Sequence, residues 1–204
     1  MEIPHSNLYK TIERKTSIDF LNEGLKVTFS FDEEATDNLP RVSDDDLITG
    51  NEKYRILLGD IDQQGDSWVN IKIRGVLEAD ASEKSLFYKE GKEEVNPNLG
   101  NIKQWVKSIQ NSIPEFSNFH FIGDIHTHPI IPGNNLEKNI HPCNLSNGDI
   151  ADIIQQYESG NLSFGEPFIF GIAGRRDVQE NTTYAFYRLV KKDGGYIIDQ
   201  IEKK

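Results

Sequence analysis

The residues best placed by type and spacing to do chemistry are His126-Thr127-His128-Pro129. On an extended backbone, positions i and i+2 point to the same side, so two imidazoles stand within reach of one metal ion. Pro129 has no backbone donor and suits the end of a strand. A hydrolytic zinc site takes three protein ligands and keeps a fourth position open for water. The pair therefore calls for one more ligand, often a carboxylate. Asp149, in residues 145–150 (LSNGDI), is the candidate. The same segment has a plain structural reading. Ser-x-x-Asp ahead of an apolar-periodic run is close to a capping box, in which Ser146 caps a helix and the acid reaches back. Alone, the segment reads as a cap; with HTHP upstream, it reads as a ligand. Ser146 can cap the helix and still aim its hydroxyl at the metal.

Several elements are needed to position these groups. Residues 25–31 (LKVTFSF) alternate apolar and polar and predict a strand. Residues 32–46 carry seven acids and predict a solvated loop. Residues 54–58 (YRILL) predict a strand stopping at Gly59-Asp60, and residues 68–77 (WVNIKIRGVL) the next one, joined in a hairpin across DIDQQGD. Residues 80–98 are polar and predict a loop with a broken strand around 86–88. Ile102, Trp105, Val106, Ile109 and Ile113 recur at helical spacing, giving an amphipathic helix ended by Pro114. Residues 119–125 (FHFIGDI) predict a strand leading into His126. A long loop follows to Leu145. Ser146 opens a second helix, with Ile150, Ile153, Ile154 and Tyr157 on one face. Residues 168–173, 184–190 and 196–201 predict three closing strands. The fold class is α/β (α+β): a mixed sheet flanked by helices. Residues 46–204 read as the domain and residues 1–45 as an N-terminal extension.

Composition narrows the partners. The chain has 204 residues, 36% of them hydrophobic and 27% charged, and a formal net charge of -11. Binding to a nucleic-acid backbone normally needs clustered Lys and Arg, so nucleic acid is excluded as a partner. No apolar run approaches the roughly 20 residues needed to span a bilayer, and Met1-Glu2-Ile3-Pro4-His5 lacks a secretion-signal pattern. Cys143 is the one cysteine, which points to a reducing, cytoplasmic compartment. There is no HExxH, no flanking signature of a thiol protease and no Gly-rich phosphate loop.

Three ordered segments together resemble the JAMM/MPN metalloprotease family, its prokaryotic JAB-like members in particular. They are Glu52-Lys53-Tyr54-Arg55-Ile56-Leu57-Leu58-Gly59, then Ile122-Gly123-Asp124-Ile125-His126-Thr127-His128-Pro129, then Leu145-Ser146-Asn147-Gly148-Asp149. The likeness covers about residues 50–190. It implies an MPN/JAB (cytidine-deaminase-like) architecture and a Zn2+ cofactor held by His126, His128 and Asp149. It implies that Glu52 is the general base, taking a proton from the attacking water and returning it to the leaving amine. Ser146 would donate a hydrogen bond to the oxyanion. The implied substrate is ubiquitin, a ubiquitin-like protein or a similar peptide tail, and the implied activity is that of an isopeptidase or peptidase. The chain departs from the family pattern in the long 130–145 segment, expected to border the site. It departs again in the short stretch after Asp149, which leaves no room for a ubiquitin-gripping insertion, and in residues 1–45.

Other readings compete at particular residues. Glu78, near the end of the second hairpin strand, is the alternative base; the family spacing favours Glu52. His120 lies on the alternation of His126 but reads as a packed or surface histidine. His141 and Cys143 lack the further ligands of a second zinc site, and Cys143 reads as a small apolar residue. His5 is terminal, and residues 89–94 read as a solvated charge run. Two other functions fit the same scaffold: a non-catalytic binding module and a small-molecule amide hydrolase. Retention of both histidines and the aspartate favours catalysis.

Overall fold

The computed structural model describes residues 19–79, 97–129, 141–162 and 166–204. The expected broken strand at 86–88, the 89–94 charge run, His5 and residues 130–140 of the long loop lie outside the described residues. The strands are β1 (Lys26–Phe31), β2 (Tyr54–Gln64), β3 (Trp68–Leu77), β4 (His120–Pro129), β5 (Ile169–Arg175), β6 (Thr183–Lys192), β7 (Gly195–Gln200) and β8 (Glu202–Lys203). The helices are α1 (Glu33–Asp37), α2 (Asp44–Thr49), α3 (Leu99–Ser112) and α4 (Asn147–Glu158), with a 3-10 turn at Pro114–Phe116. The result is a mixed α/β fold. Its eight strands form one sheet in the order β7-β6-β5-β4-β2-β3-β1-β8. Pairs β4–β5, β1–β3 and β1–β8 are parallel, and the remaining pairs are antiparallel.

The two ends of that order, β7 and β8, follow each other in the chain with only Ile201 between them. The sheet therefore curls until its edges meet. The Ile201 amide donates to the Phe186 carbonyl at 2.8 Å and the Lys204 amide to that of Phe29 at 2.8 Å. The Phe29 and Phe186 rings pack at 4.6 Å across the seam. The enclosed face holds Val27, Phe29, Leu57, Ile71, Ile73, Ile125, Phe186 and Ile201. The outer face packs Ile56, Leu58, Phe170 and Ile172 against Leu99, Ile102 and Val106 of α3 and Ile153 and Tyr157 of α4. Of the expected N-terminal extension, residues 19–45 are built into this sheet and its core through β1, Phe20, Leu25 and Leu39. No helix among the described residues is long and apolar enough to cross a membrane.

Two local expectations change. Residues 32–46 are not an open loop: they fold α1 and the start of α2. Ala35, Leu39 and Val42 are buried there, and five of the seven acids sit in first turns, where the helix dipole favours negative charge. Ser43 and Asp46 close a reciprocal capping box on α2. The β2 strand also does not stop at Gly59-Asp60 but pairs with β3 as far as Gln64 opposite Trp68. The turn is confined to three residues, with Gly65 in a left-handed conformation (φ 67°).

One irregularity decides which way the histidines face. Leu57 pairs with Gly123, but Leu58 pairs with Phe121, so β4 carries an extra residue at that point. Phe121 packs with the outer-face cluster, Ile122 with the enclosed one. A bulge of this kind shifts the phase of everything beyond it, so Asp124, His126 and His128 emerge on the outer face. It also takes His120 off the alternation of His126 and leaves it exposed. Gly123 makes the bulge possible: φ is 150°, and a Cβ there would lie 2.0 Å from the Ile169 carbonyl oxygen. Gly123→Ala is expected to cost at least about 2 kcal/mol. At roughly 2–4 °C per kcal/mol for a chain of this size, a thermal melt reads that directly.

Candidate metal centre

The His126 end of β4 is held on both sides. Tyr54 of β2 lies opposite His126, and Ile172 of β5 pairs with it on the other side. The Thr127 amide donates to the Lys53 carbonyl at 2.9 Å, and the Lys53 amide donates to Thr127 Oγ1 at 2.7 Å. Thr127 is fully buried. These contacts fix the backbone between the two histidines. Their ring centroids stand 4.7 Å apart.

Asp149 comes to them from the first turn of α4. Its Oδ1 lies 3.2 Å from His126 Nε2 and its Oδ2 3.3 Å from His128 Nε2. The two Nε2 atoms are 2.8 Å apart. A tetrahedral ion with bonds of about 2.0–2.2 Å has ligand-to-ligand edges of about 3.3–3.5 Å. The carboxylate gaps, each to a different oxygen, lie close to that value, and the His–His gap falls short of it. His128 Nδ1 lies 3.2 Å from the Asn144 carbonyl. Donation there leaves the Nε2 lone pair facing inward, the usual second contact of a metal-binding histidine. A lone pair and a carboxylate converging on one point require positive charge between them, either a proton on His126 or a cation. The triad can hold a metal ion.

The capping box forms, and the same carboxylate still faces both imidazoles. The Ser146 amide donates to Asp149 Oδ2 at 2.6 Å, and the Asp149 amide donates to Ser146 Oγ at 3.1 Å. The cap uses lone pairs of Ser146 Oγ and leaves its O–H proton available. Ser146 is exposed beside the triad. Burial opposes ionisation of Asp149, yet hydrogen bonds from His126 and His128 hold its carboxyl well below the usual range. Burial likewise pushes the His126 imidazole down, but Asp149, with Glu52 and Asp124, carries it above its ordinary value.

Glu52 precedes Lys53, so alternation from Tyr54 places it on the outer face with the histidines, and its charge is felt at His126. Glu78 is engaged on the other face: its Oε2 lies 2.6 Å from Arg55 Nη2. His141 accepts the Cys143 amide at its Nδ1, 3.2 Å away. Cys143 is buried with its thiol 3.1 Å from Thr183 Oγ1. Among the described residues these two do not join the cluster.

Three neighbours were not singled out by sequence reasoning. Asn144 orients His128, and nothing in its local sequence marks it. It is placed by the packing of Pro142 on Gly174, where a Cβ would come within 2.1 Å of the Pro142 carbonyl oxygen. Asp124 and Tyr54 lie behind His126. The Tyr54 hydroxyl donates to Asp124 Oδ2 at 2.7 Å. Burial pushes the Asp124 carboxyl up to about 6, against the opposing pull of Tyr54 and His126. The period-two series 124, 126, 128 was the available signal for Asp124.

Compared with known proteins, the chain matches no family model, and no curated protein matches it significantly.

Proposed function

We propose that this chain is a zinc-dependent amide hydrolase of the JAMM/MPN kind, built on an MPN/JAB architecture. The proposed substrate is ubiquitin, a ubiquitin-like protein or a similar peptide tail, and the proposed compartment is the cytoplasm. The observation that carries the reading is the convergence of His126 Nε2, His128 Nε2 and the Asp149 carboxylate at 2.8–3.3 Å. Two imidazoles and one carboxylate suit zinc in a catalytic site.

When bound, zinc supplies Lewis acidity that lowers the pKa of water towards about 7 and polarises an amide carbonyl. The protein supplies the rest. Glu52 takes the proton of the attacking water and returns it to the leaving amine. Ser146 donates its free O–H to the oxygen on which charge develops, a contact that strengthens towards the transition state. Asn144 keeps His128 in the ligating tautomer. Lys53 and Thr127 keep the spacing of the two imidazoles.

Metal content tests this. Protein refolded with excess zinc and dialysed is expected to retain about one zinc per chain. Stripping it with a chelator should lower the melting temperature, because an ion bound only to the folded state stabilises that state. Retention of no zinc would remove the reading.

A further inference from the structure

Behind His126 a second carboxylate is buried. Asp124 is 5% exposed and is held by the Tyr54 hydroxyl at 2.7 Å. Asp124, Tyr54, His126 and Asp149 line one cavity between the sheet and the helices, closed by Leu99 of α3 and Ile153 of α4. Among the described residues no lysine or arginine lines it. A carboxylate in such a place is costly unless a positive charge stands near, and one phenolic donor fills only part of its accepting capacity of about four hydrogen bonds. His126 and Asp149 of the proposed ligand set line the same cavity, so a cation held there stands on a wall that Asp124 shares. Two neutral imidazoles, one carboxylate and a divalent cation sum to one positive charge, which attracts the Asp124 carboxylate.

We propose that Asp124, fixed by Tyr54, is a positioning residue of the metal centre: it does not ligate, but its buried charge balances the occupied ligand set and raises the affinity for a divalent cation. The inference rests on the metal reading above and assigns the Tyr54–Asp124 pair to it. Alternation places Asp124 beside His126 on the same strand face, and the ladder places Tyr54 opposite His126, so neither is free to move without the other.

The experiment measures zinc and cobalt affinity by chelator competition, and melting temperature with and without zinc. It compares the parent with Asp124→Asn, Tyr54→Phe and Asp152→Asn. Asn keeps the size of Asp124 and can still accept the Tyr54 hydrogen bond. Asp124→Asn is expected to bind about 10–100-fold more weakly, the usual effect of losing an outer-shell partner. Its metal-free form should melt close to the parent, because Asn keeps the size of Asp124 and the Tyr54 hydrogen bond. Tyr54→Phe should lose affinity in the same direction by less. Asp152→Asn, which removes an acid from another wall of the cavity, should bind like the parent. Unchanged affinity in Asp124→Asn, with a lowered metal-free melting temperature, would make Asp124 merely structural and overturn the proposal. An equal loss in Asp152→Asn would overturn it as well. If Asp124→Asn does not fold, parental affinity in Tyr54→Phe overturns it. A parent that binds no zinc would instead defeat the metal reading itself.

Discussion

Glu52→Gln protein is expected to keep one zinc per chain and its melting temperature within a few degrees of the parent, and to cleave amide bonds about 10²–10⁴-fold more slowly. The magnitude is the usual cost of losing general acid–base help. Retention of zinc follows because Glu52 is not one of the three groups that converge on the ion position. Stability is preserved because Gln matches the side chain in size and in hydrogen-bond acceptance, and because Glu52 lies ahead of β2 rather than inside its ladder. The variant should bind a ubiquitin-like fusion without cutting it. Glu78→Gln is the control. Its carboxylate is committed to Arg55 on the other face, so its rate should match the parent. Parental cleavage by Glu52→Gln together with loss in Glu78→Gln would move the base to Glu78. A zinc-loaded parent that cleaves neither ubiquitin-like fusions nor short peptides would favour the binding module over the enzyme.

The second large effect is at Asp149, where two jobs meet and can be separated. Asp149→Ala removes a ligand and half of the capping box. Zinc content should fall to near zero, and the metal-free protein should lose about 0.5–2 kcal/mol, the range for a lost helix cap. Asp149→Asn keeps an oxygen able to accept the Ser146 amide but loses the negative charge. It should melt below the parent in the absence of metal by what the charged contact with the histidines contributes, but above Asp149→Ala, and still bind zinc poorly. The difference in metal-free stability between the two variants therefore reports the cap, and zinc content reports the ligand. Full zinc content in folded Asp149→Ala would leave Asp149 as a cap alone. His126→Ala should lose the metal as completely, without the penalty at α4.

Strands β1 to β7, both long helices and the order of the site residues are legible in the sequence because each rests on a local pattern. Alternation marks β3, and Ile102, Val106 and Ile109 mark α3. Ser146 marks the start of α4. What escapes is decided by distant contacts or by small changes of phase. The β4 bulge adds one residue where FHFIGDI reads as unbroken alternation, and this is why His120 looks aligned with His126 and is not. The acids of residues 32–46 suggest a loop because their charge outweighs Ala35, Leu39 and Val42, of which Ala35 and Leu39 pack into the enclosed cluster. Asn144 meets His128 only after Pro142 has seated on Gly174. The Tyr54–Asp124 bond joins residues that the sequence keeps well apart.

The closed seam divides the molecule by durability. Pairing Thr28 with Glu202 joins positions near opposite ends of the described chain, and contacts so remote in sequence carry the largest loop-closure entropy and form late in folding. The ladder at that edge is two residues of β8 long, supplemented by the amides of Ile201 and Lys204. The strand that carries the two histidines, β4, and its neighbours β2 and β5 sit mid-sheet, each paired on both sides. Amide exchange should therefore be fast along β8 and the facing edge of β1, and slowest from Tyr54 to Leu58 and from Gly123 to Thr127. On that expectation the sheet frays first at its seam, beside the aromatic interior, while the His126–His128–Asp149 triad stays assembled.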